Sequence, residues 1–197
     1  MRKCTYSSLF LALLLLLGAC GSGGSENQEE AAYFPIKTWT EVQAENLDGF
    51  QVRKQVRVGS HEEILEDTLD AGGWLELFEV FLDADINTSS LAAAYETSRK
   101  DNVLRHELRP GEKGRVKWIE VRYLQNEVKE VSFSAETDNF FYQTSVSGRL
   151  IMHAARQHLD QFRISAEQKI LFRAPTVLQV TGHVLPKADA VLPRLDP

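Results

Sequence analysis

Cysteine is nearly absent. Of 197 residues only Cys4 and Cys20 carry a thiol, and both fall within the first twenty positions. The body of the chain therefore has no disulfide, no C-x-x-C redox pair, no cysteine nucleophile and no cysteine-based zinc site. Basic residues are outnumbered, 22 against 28 acidic, which gives a formal net charge of -6. A chain of that sign does not attract phosphate backbones by its bulk field, so nucleic acid is excluded as the expected partner. Long hydrophobic runs are missing too. The one Leu-rich stretch, Leu9 to Leu17, falls well short of the ~20 residues a spanning helix needs. No H-E-x-x-H, G-x-S-x-G, S-x-x-K, P-loop or G-x-G-x-x-G motif occurs, and no repeat of 20–50 residues is visible. No catalytic residue, metal site or soluble cofactor is expected on these grounds. Scattered Asp and Glu leave a hydrolase as a further alternative, because a carboxylate pair can form in space without a sequence signature.

What the N-terminus does contain is an export pattern. Arg2 and Lys3 form a positive start, Leu9 to Leu17 an apolar centre, and Gly18 and Ala19 a small-residue end. "LGAC", Leu17 to Cys20, resembles the lipobox of bacterial lipoproteins. The resemblance implies that residues 1–19 are removed as a signal peptide. It also implies that Cys20 carries a covalent diacylglyceryl thioether and an N-acyl chain. A thiolate is the natural soft nucleophile for that alkylation. Two or more acyl chains give stable membrane attachment, each buried CH2 contributing about 0.8 kcal/mol. Losing Arg2 and Lys3 with the leader makes the mature charge two units more negative. Gly21 stands where, in the best-known Gram-negative sorting scheme, Asp would retain the protein in the inner membrane. The resemblance thus implies an outer-membrane lipoprotein, its domain facing the periplasm or the cell surface.

Residues 21–32, "GSGGSENQEEAA", hold no bulky apolar side chain and read as a flexible, self-repelling tether. A single domain is expected over 33–197. Ile36, Trp39, Val42 and Leu47 form a helical stripe behind Pro35, ended by Gly49. Phe50, Val52, Val56 and Val58 alternate with Gln51, Arg53, Gln55 and Arg57, the pattern of a half-buried strand. Ser60 with Glu63 makes a capping box, so 60–69 is expected to be a short helix or turn. Asp70 and Gly72–Gly73 then break the chain. Trp74, Leu77, Phe78 and Phe81 fit one helical face, while the poorer alternation of Leu75, Leu77, Glu79 and Phe81 with Glu76, Phe78 and Val80 leaves a strand as the alternative. Asn87, Thr88 or Ser89 are candidate caps for another short helix reaching Tyr95.

From Val103 the chain alternates through strands separated by the turns at 110–114, 125–127 and 136–139, with a further break at Ala174–Pro175. Residues 149–162 have helical composition but a strand's position, and strand is expected. The fold class read from this is α+β: a curved antiparallel meander of about six to seven strands, covered on one side by N-terminal helices. The order of elements, with "LELFEVFLDADIN" at 75–87 followed by the meander, is similar to that of an uncharacterised group of bacterial envelope lipoproteins.

Two local features are candidate sites. Asp83, Asp85 and Asn87 match the opening of a calcium loop. Thr88 replaces its glycine and Ala94 its bidentate glutamate, so a polar turn is the expected reading. Phe140, Phe141 and Tyr142 place aromatic rings on both faces of a strand. One face is expected to be core and the other a possible apolar surface for a partner or lipid. Five histidines form no tight pair; His153 and His158, five apart, are expected on opposite faces of a strand. The functional expectation is a tethered, non-catalytic envelope binding or assembly module, its partners being the membrane and an envelope protein. The alternative follows from a resemblance to the half-barrels of periplasmic lipoprotein carriers and lipid-binding sensors, which implies a carrier or sensor of a hydrophobic ligand.

Overall fold

The computed structural model describes residues 33–155 and 158–185. Cys20, the expected signal peptide (1–19) and the expected tether (21–32) lie outside the described residues. The elements run α1 (Ile36–Asn46), β1 (Phe50–Val58), β2 (His61–Leu69), α2 (Ala71–Leu77), α3 (Glu79–Leu82), a single 3-10 turn (Ser89–Leu91), β3 (Tyr95–Lys100), β4 (Val103–Leu108), β5 (Val116–Leu124), β6 (Glu127–Asp138), β7 (Tyr142–Met152), β8 (Leu159–Ile170) and β9 (Thr176–Leu185). The strands form one antiparallel sheet in the order β2-β1-β9-β8-β7-β6-β5-β4-β3. The fold is therefore α+β, with nine strands where six or seven were expected. From β3 to β9 neighbours in sequence are neighbours in space. The pairing of β1 with β9, Val52 opposite Val184, attaches the first hairpin beside the last strand.

The two additional strands are β2 and β3. Residues 61–69 pair along their whole length with β1, from Val58 opposite His61 to Phe50 opposite Leu69. The capping-box reading fails there because β1 is basic and β2 is acidic. Arg53 meets Glu66 at 2.6 Å, Lys54 meets Asp67 at 2.7 Å, and Arg57 meets Glu62 at 2.6 Å. Cross-strand pairs of opposite charge favour the hairpin over a lone helical turn. Likewise, the short helix expected to reach Tyr95 stops at Leu91, and Tyr95 begins the edge strand β3.

Asp70 does separate β2 from α2, as expected, but the two glycines break nothing. The Asp70 carboxylate accepts the Gly73 N–H at 2.7 Å and caps α2, which contains Gly72 and Gly73 in its first turn. The helix faces then follow the expected periodicity. Trp74, Phe78 and Phe81 are fully buried against the sheet. Phe81 meets Phe133 edge-on at 5.1 Å, Phe78 meets Phe162 at 5.4 Å, and Trp74 meets Phe162 at 6.4 Å. Each such ring contributes about 1.5–3 kcal/mol of burial, with a further 0.5–1.5 kcal/mol per aromatic pair. Gly182, Phe162, Leu150, Val131, Val121 and Leu104 make one continuous row across this helix-side face, and Leu150, Val131 and Val121 are fully buried.

Among the described residues, no helix lies on the other face. Its neighbouring row reads Thr181, Arg163, Arg149, Ser132, Glu120 and Arg105. Residues 149–162 are strand at both ends, as expected, but not throughout: β7 ends at Met152 and β8 starts at Leu159. The intervening turn places the His153 and His158 rings 5.4 Å apart, not on opposite faces.

Candidate functional site

At one end of the sheet two hairpins finish side by side. The β6–β7 turn is set by Asn139, whose side-chain oxygen accepts the N–H groups of Phe141 (2.9 Å) and Tyr142 (3.0 Å). This is the local bonding that makes Asn a turn residue. The β8–β9 turn closes through the Arg173 N–H on the Ile170 carbonyl at 3.0 Å. It holds Phe172 at φ +64°, a left-handed conformation that bulky residues rarely adopt. The two turns are joined by a backbone bond from Leu171 N–H to the Phe141 carbonyl, 3.0 Å.

The consequence is a cluster of apolar side chains in water. Phe172 is 97% exposed, Phe140 80% and Phe141 68%; Leu171, Tyr142 and Ile170 are also exposed. Phe140 and Phe141 meet edge-on with centroids 5.2 Å apart. The expectation that one face of 140–142 belongs to the core is corrected. Phe140 and Phe141 lie in the turn, Tyr142 is the first residue of β7, and none of the three reaches the core. A shallow depression of about 310 Å³ runs between the two turns. Segments 139–143 and 168–176 contain no carboxylate and two cations, Lys169 and Arg173, in a chain of net charge -6. Half of this cluster was visible in the sequence as Phe140, Phe141 and Tyr142. The other half, Ile170 to Phe172, read as the end of a strand; three consecutive apolar residues running into Arg173 and Pro175 were the available signal.

The second candidate, 83–87, has a different role. Asn87 clasps the start of the domain: its side-chain oxygen accepts the Tyr33 N–H at 3.0 Å, and its amide donates to the Phe34 carbonyl at 3.3 Å. Asp85 accepts both the Asn87 backbone N–H and its side-chain amide, at 3.2 and 3.1 Å. Asp83 faces Arg115 at 3.7 Å. These oxygens are committed to fixing the chain where it enters the domain. Among the described residues no group of three or more His, Cys, Asp or Glu is placed to hold a metal ion.

The same junction contains the buried His106. The Phe34 N–H donates to its Nε2 at 3.0 Å, so Nδ1 carries the proton and donates to Thr97 Oγ1 at 2.8 Å. Burial disfavours the imidazolium and pushes the His106 pKa down. Beside it, Tyr95 donates its hydroxyl to the Val116 carbonyl at 2.8 Å, and burial, with the nearby Tyr33, pushes its pKa up to about 12. Both groups are neutral and hydrogen-bonded, the pattern of packed structural side chains.

No helix among the described residues is long and apolar enough to cross a membrane. The chain matches no protein-family model, no curated protein and no solved structure.

Proposed function

We propose that the chain is a tethered, non-catalytic outer-membrane lipoprotein, anchored through Cys20. In this reading it acts as an envelope binding module whose contact surface is the pair of hairpin tips, and whose partner is the surface of a lipid bilayer. The observation that carries this reading is the composition of the tips: six exposed apolar side chains and two flanking cations, Arg173 and Lys169, the latter also 3.4 Å from Glu167 just below the tip. Aromatic and aliphatic side chains partition into the boundary between headgroups and acyl chains, and cations beside them meet anionic headgroups. The acidic remainder of the domain would be repelled from the same surface, which favours a tip-first approach.

The tether adds to this. Thirteen residues, 20–32, at ~5–6 Å times the square root of their number, keep the domain about two nanometres from its anchor. Tip contact is then intramolecular, and a weak insertion suffices to hold the domain down.

Two measurements test the reading. Replacing Cys20 by Ser should abolish acyl labelling and lower the membrane-bound fraction to what the tips alone can hold; unchanged labelling removes the anchor from the account. The chain from residue 20 with Cys20→Ser should still float with vesicles of equal parts phosphatidylethanolamine and phosphatidylglycerol. Phe140→Ser with Phe172→Ser should reduce that flotation at least tenfold. Flotation unaffected by the two substitutions would exclude the tips as the contact.

A further inference from the structure

The sheet face opposite the one covered by α2 and α3 carries a second feature, separate from the tips. Three adjacent strands, β1, β9 and β8, surround a pocket of about 300 Å³ lined by Gln55, Arg57, Arg163, Gln179 and Thr181. Two of the five are guanidinium-bearing, the others are amides and a hydroxyl, and no carboxylate lines it.

Arg163 is the residue that its own fold leaves unexplained. Its position faces Arg149 directly across β7 and Thr181 directly across β9. Like charges in directly opposed positions are destabilising. Arg149 is relieved by Glu130 at 3.3 Å. Arg163 has no ion pair and no side-chain hydrogen bond among the described residues, and neither do the side chains of Gln179 and Thr181. Arg57, by contrast, is held in place: Glu62 accepts its Nε and Nη2 at 3.0 and 2.6 Å, and also accepts from the Gln55 amide at 2.6 Å. These bonds hold the Glu62 carboxyl below the usual carboxylate range, so it stays ionised and fixes its partners. The pocket thus has one wall pre-oriented by Glu62 and an opposite wall of unused donors. Arg163 offers a planar fork, with Gln179 and Thr181 between it and Arg57. That donor set is complementary to a tetrahedral oxyanion, which guanidinium forks bind in bidentate fashion.

We infer that the pocket formed by Arg57, Arg163, Gln179 and Thr181 binds a phosphate-class oxyanion. The position of the pocket gives two sources for that chemistry. Gln179 lies three residues along β9 from its first residue, Thr176, next to the Phe172 turn, about 10 Å at ~3.3 Å per residue. Tips inserted at the acyl boundary would bring the pocket to the level of lipid headgroup phosphates. A soluble phosphate ester carries the same group. The headgroup source rests on the tip-docking reading; the oxyanion site itself does not.

The test uses the chain from residue 20 with Cys20→Ser, labelled with 15N at arginine. Inorganic phosphate should shift the Arg163 Nε–H resonance saturably, while chloride at matched ionic strength should not. Arg163→Gln should weaken phosphate binding, read at Arg57 Nε–H, at least tenfold. Arg53→Gln, on the same face but outside the pocket, should change it less than twofold. Equal responses to phosphate and chloride, or an Arg163→Gln affinity within twofold of the parent, would overturn the inference. Vesicles of phosphatidylethanolamine and phosphatidylglycerol form the second arm. If phosphate binding is present and Arg163→Gln also lowers flotation, the source is the headgroup. If flotation is unchanged while phosphate binding is lost, the ligand is a soluble ester. The Phe140→Ser, Phe172→Ser protein separates the two ideas, since it should keep its phosphate response whether or not it floats.

Discussion

The ring of Phe81 rests on the backbone of Gly148: a Cβ at that position would lie 2.5 Å from the Phe81 Cζ, and 2.5 Å from the Phe133 Cε1 on the adjacent strand. The missing side chain is what lets α3 approach β7 closely enough to bury both rings. Gly148→Ala should therefore destabilise the domain by about 3 kcal/mol, because neither ring has room to move. Urea unfolding followed by tryptophan fluorescence measures this. A loss below about 0.5 kcal/mol would show that the helix is free to lift.

Stability should also depend on pH through His106. Its imidazole is neutral and doubly hydrogen-bonded in the folded state, with a pKa held below the ordinary value of about 6.5 by burial. The unfolded chain thus takes up the proton first. The contribution of His106 is fully present above pH ~6.5 and is lost as pH falls from there toward the depressed folded value, at up to about 1.4 kcal/mol per pH unit. Denaturation midpoints between pH 7.5 and 5 check it. His106→Gln should flatten that slope by one proton; an unchanged slope would assign the effect to other groups.

A substitution at Phe172 should separate stability from membrane contact. The residue is fully exposed and held at φ +64°. Asn tolerates that conformation better than Phe does. Phe172→Asn should raise stability by about 0.5–1 kcal/mol and lower vesicle flotation. A gain in stability with no loss of flotation would leave the ring without a role at the membrane.

On the buried face of α1, Thr40 is fully buried and its hydroxyl has no partner among the described residues. Thr40→Val keeps the shape and removes the orphan group. The expected change is a gain of about 1 kcal/mol, read in the same unfolding experiment. A loss instead would indicate that a water molecule satisfies the hydroxyl.

How far the sequence revealed this molecule depended on where water lies. β1 and β5 to β7 were legible because one face is buried, so their apolar residues alternate. β2 is exposed along nearly its whole length on both faces, and "HEEILEDTL" accordingly shows no alternation. Its signal was a different one, the run of acids following the basic Arg53, Lys54 and Arg57 across the Gly59–Ser60 turn. β3 buries only Tyr95 and was hidden for the same reason. Asp83–Asn87 was expected as a polar turn, but the partners of that turn, Tyr33 and Phe34, lie some fifty residues away and left no local signal. Phe140 and Phe141 stood out in the sequence, but their joining to Leu171 runs through a backbone bond that no side-chain pattern records. The reading of Cys20 rests on its motif alone, because the residue lies outside the described residues.

The acidic edge strand has a consequence beyond the hairpin it completes. An open sheet presents unpaired backbone groups along its borders, a template on which another chain can polymerise. If β2 of a second copy aligned antiparallel to β2 here about its centre at Ile64–Leu65, Glu62 would meet Asp67 and Glu63 would meet Glu66 across the seam. Proteins crowded together on a bilayer by lipid anchors collide constantly in two dimensions. Under the proposed anchoring at Cys20, a border that repels its own likeness would let the protein reach high surface density while each molecule stays separate from its neighbours.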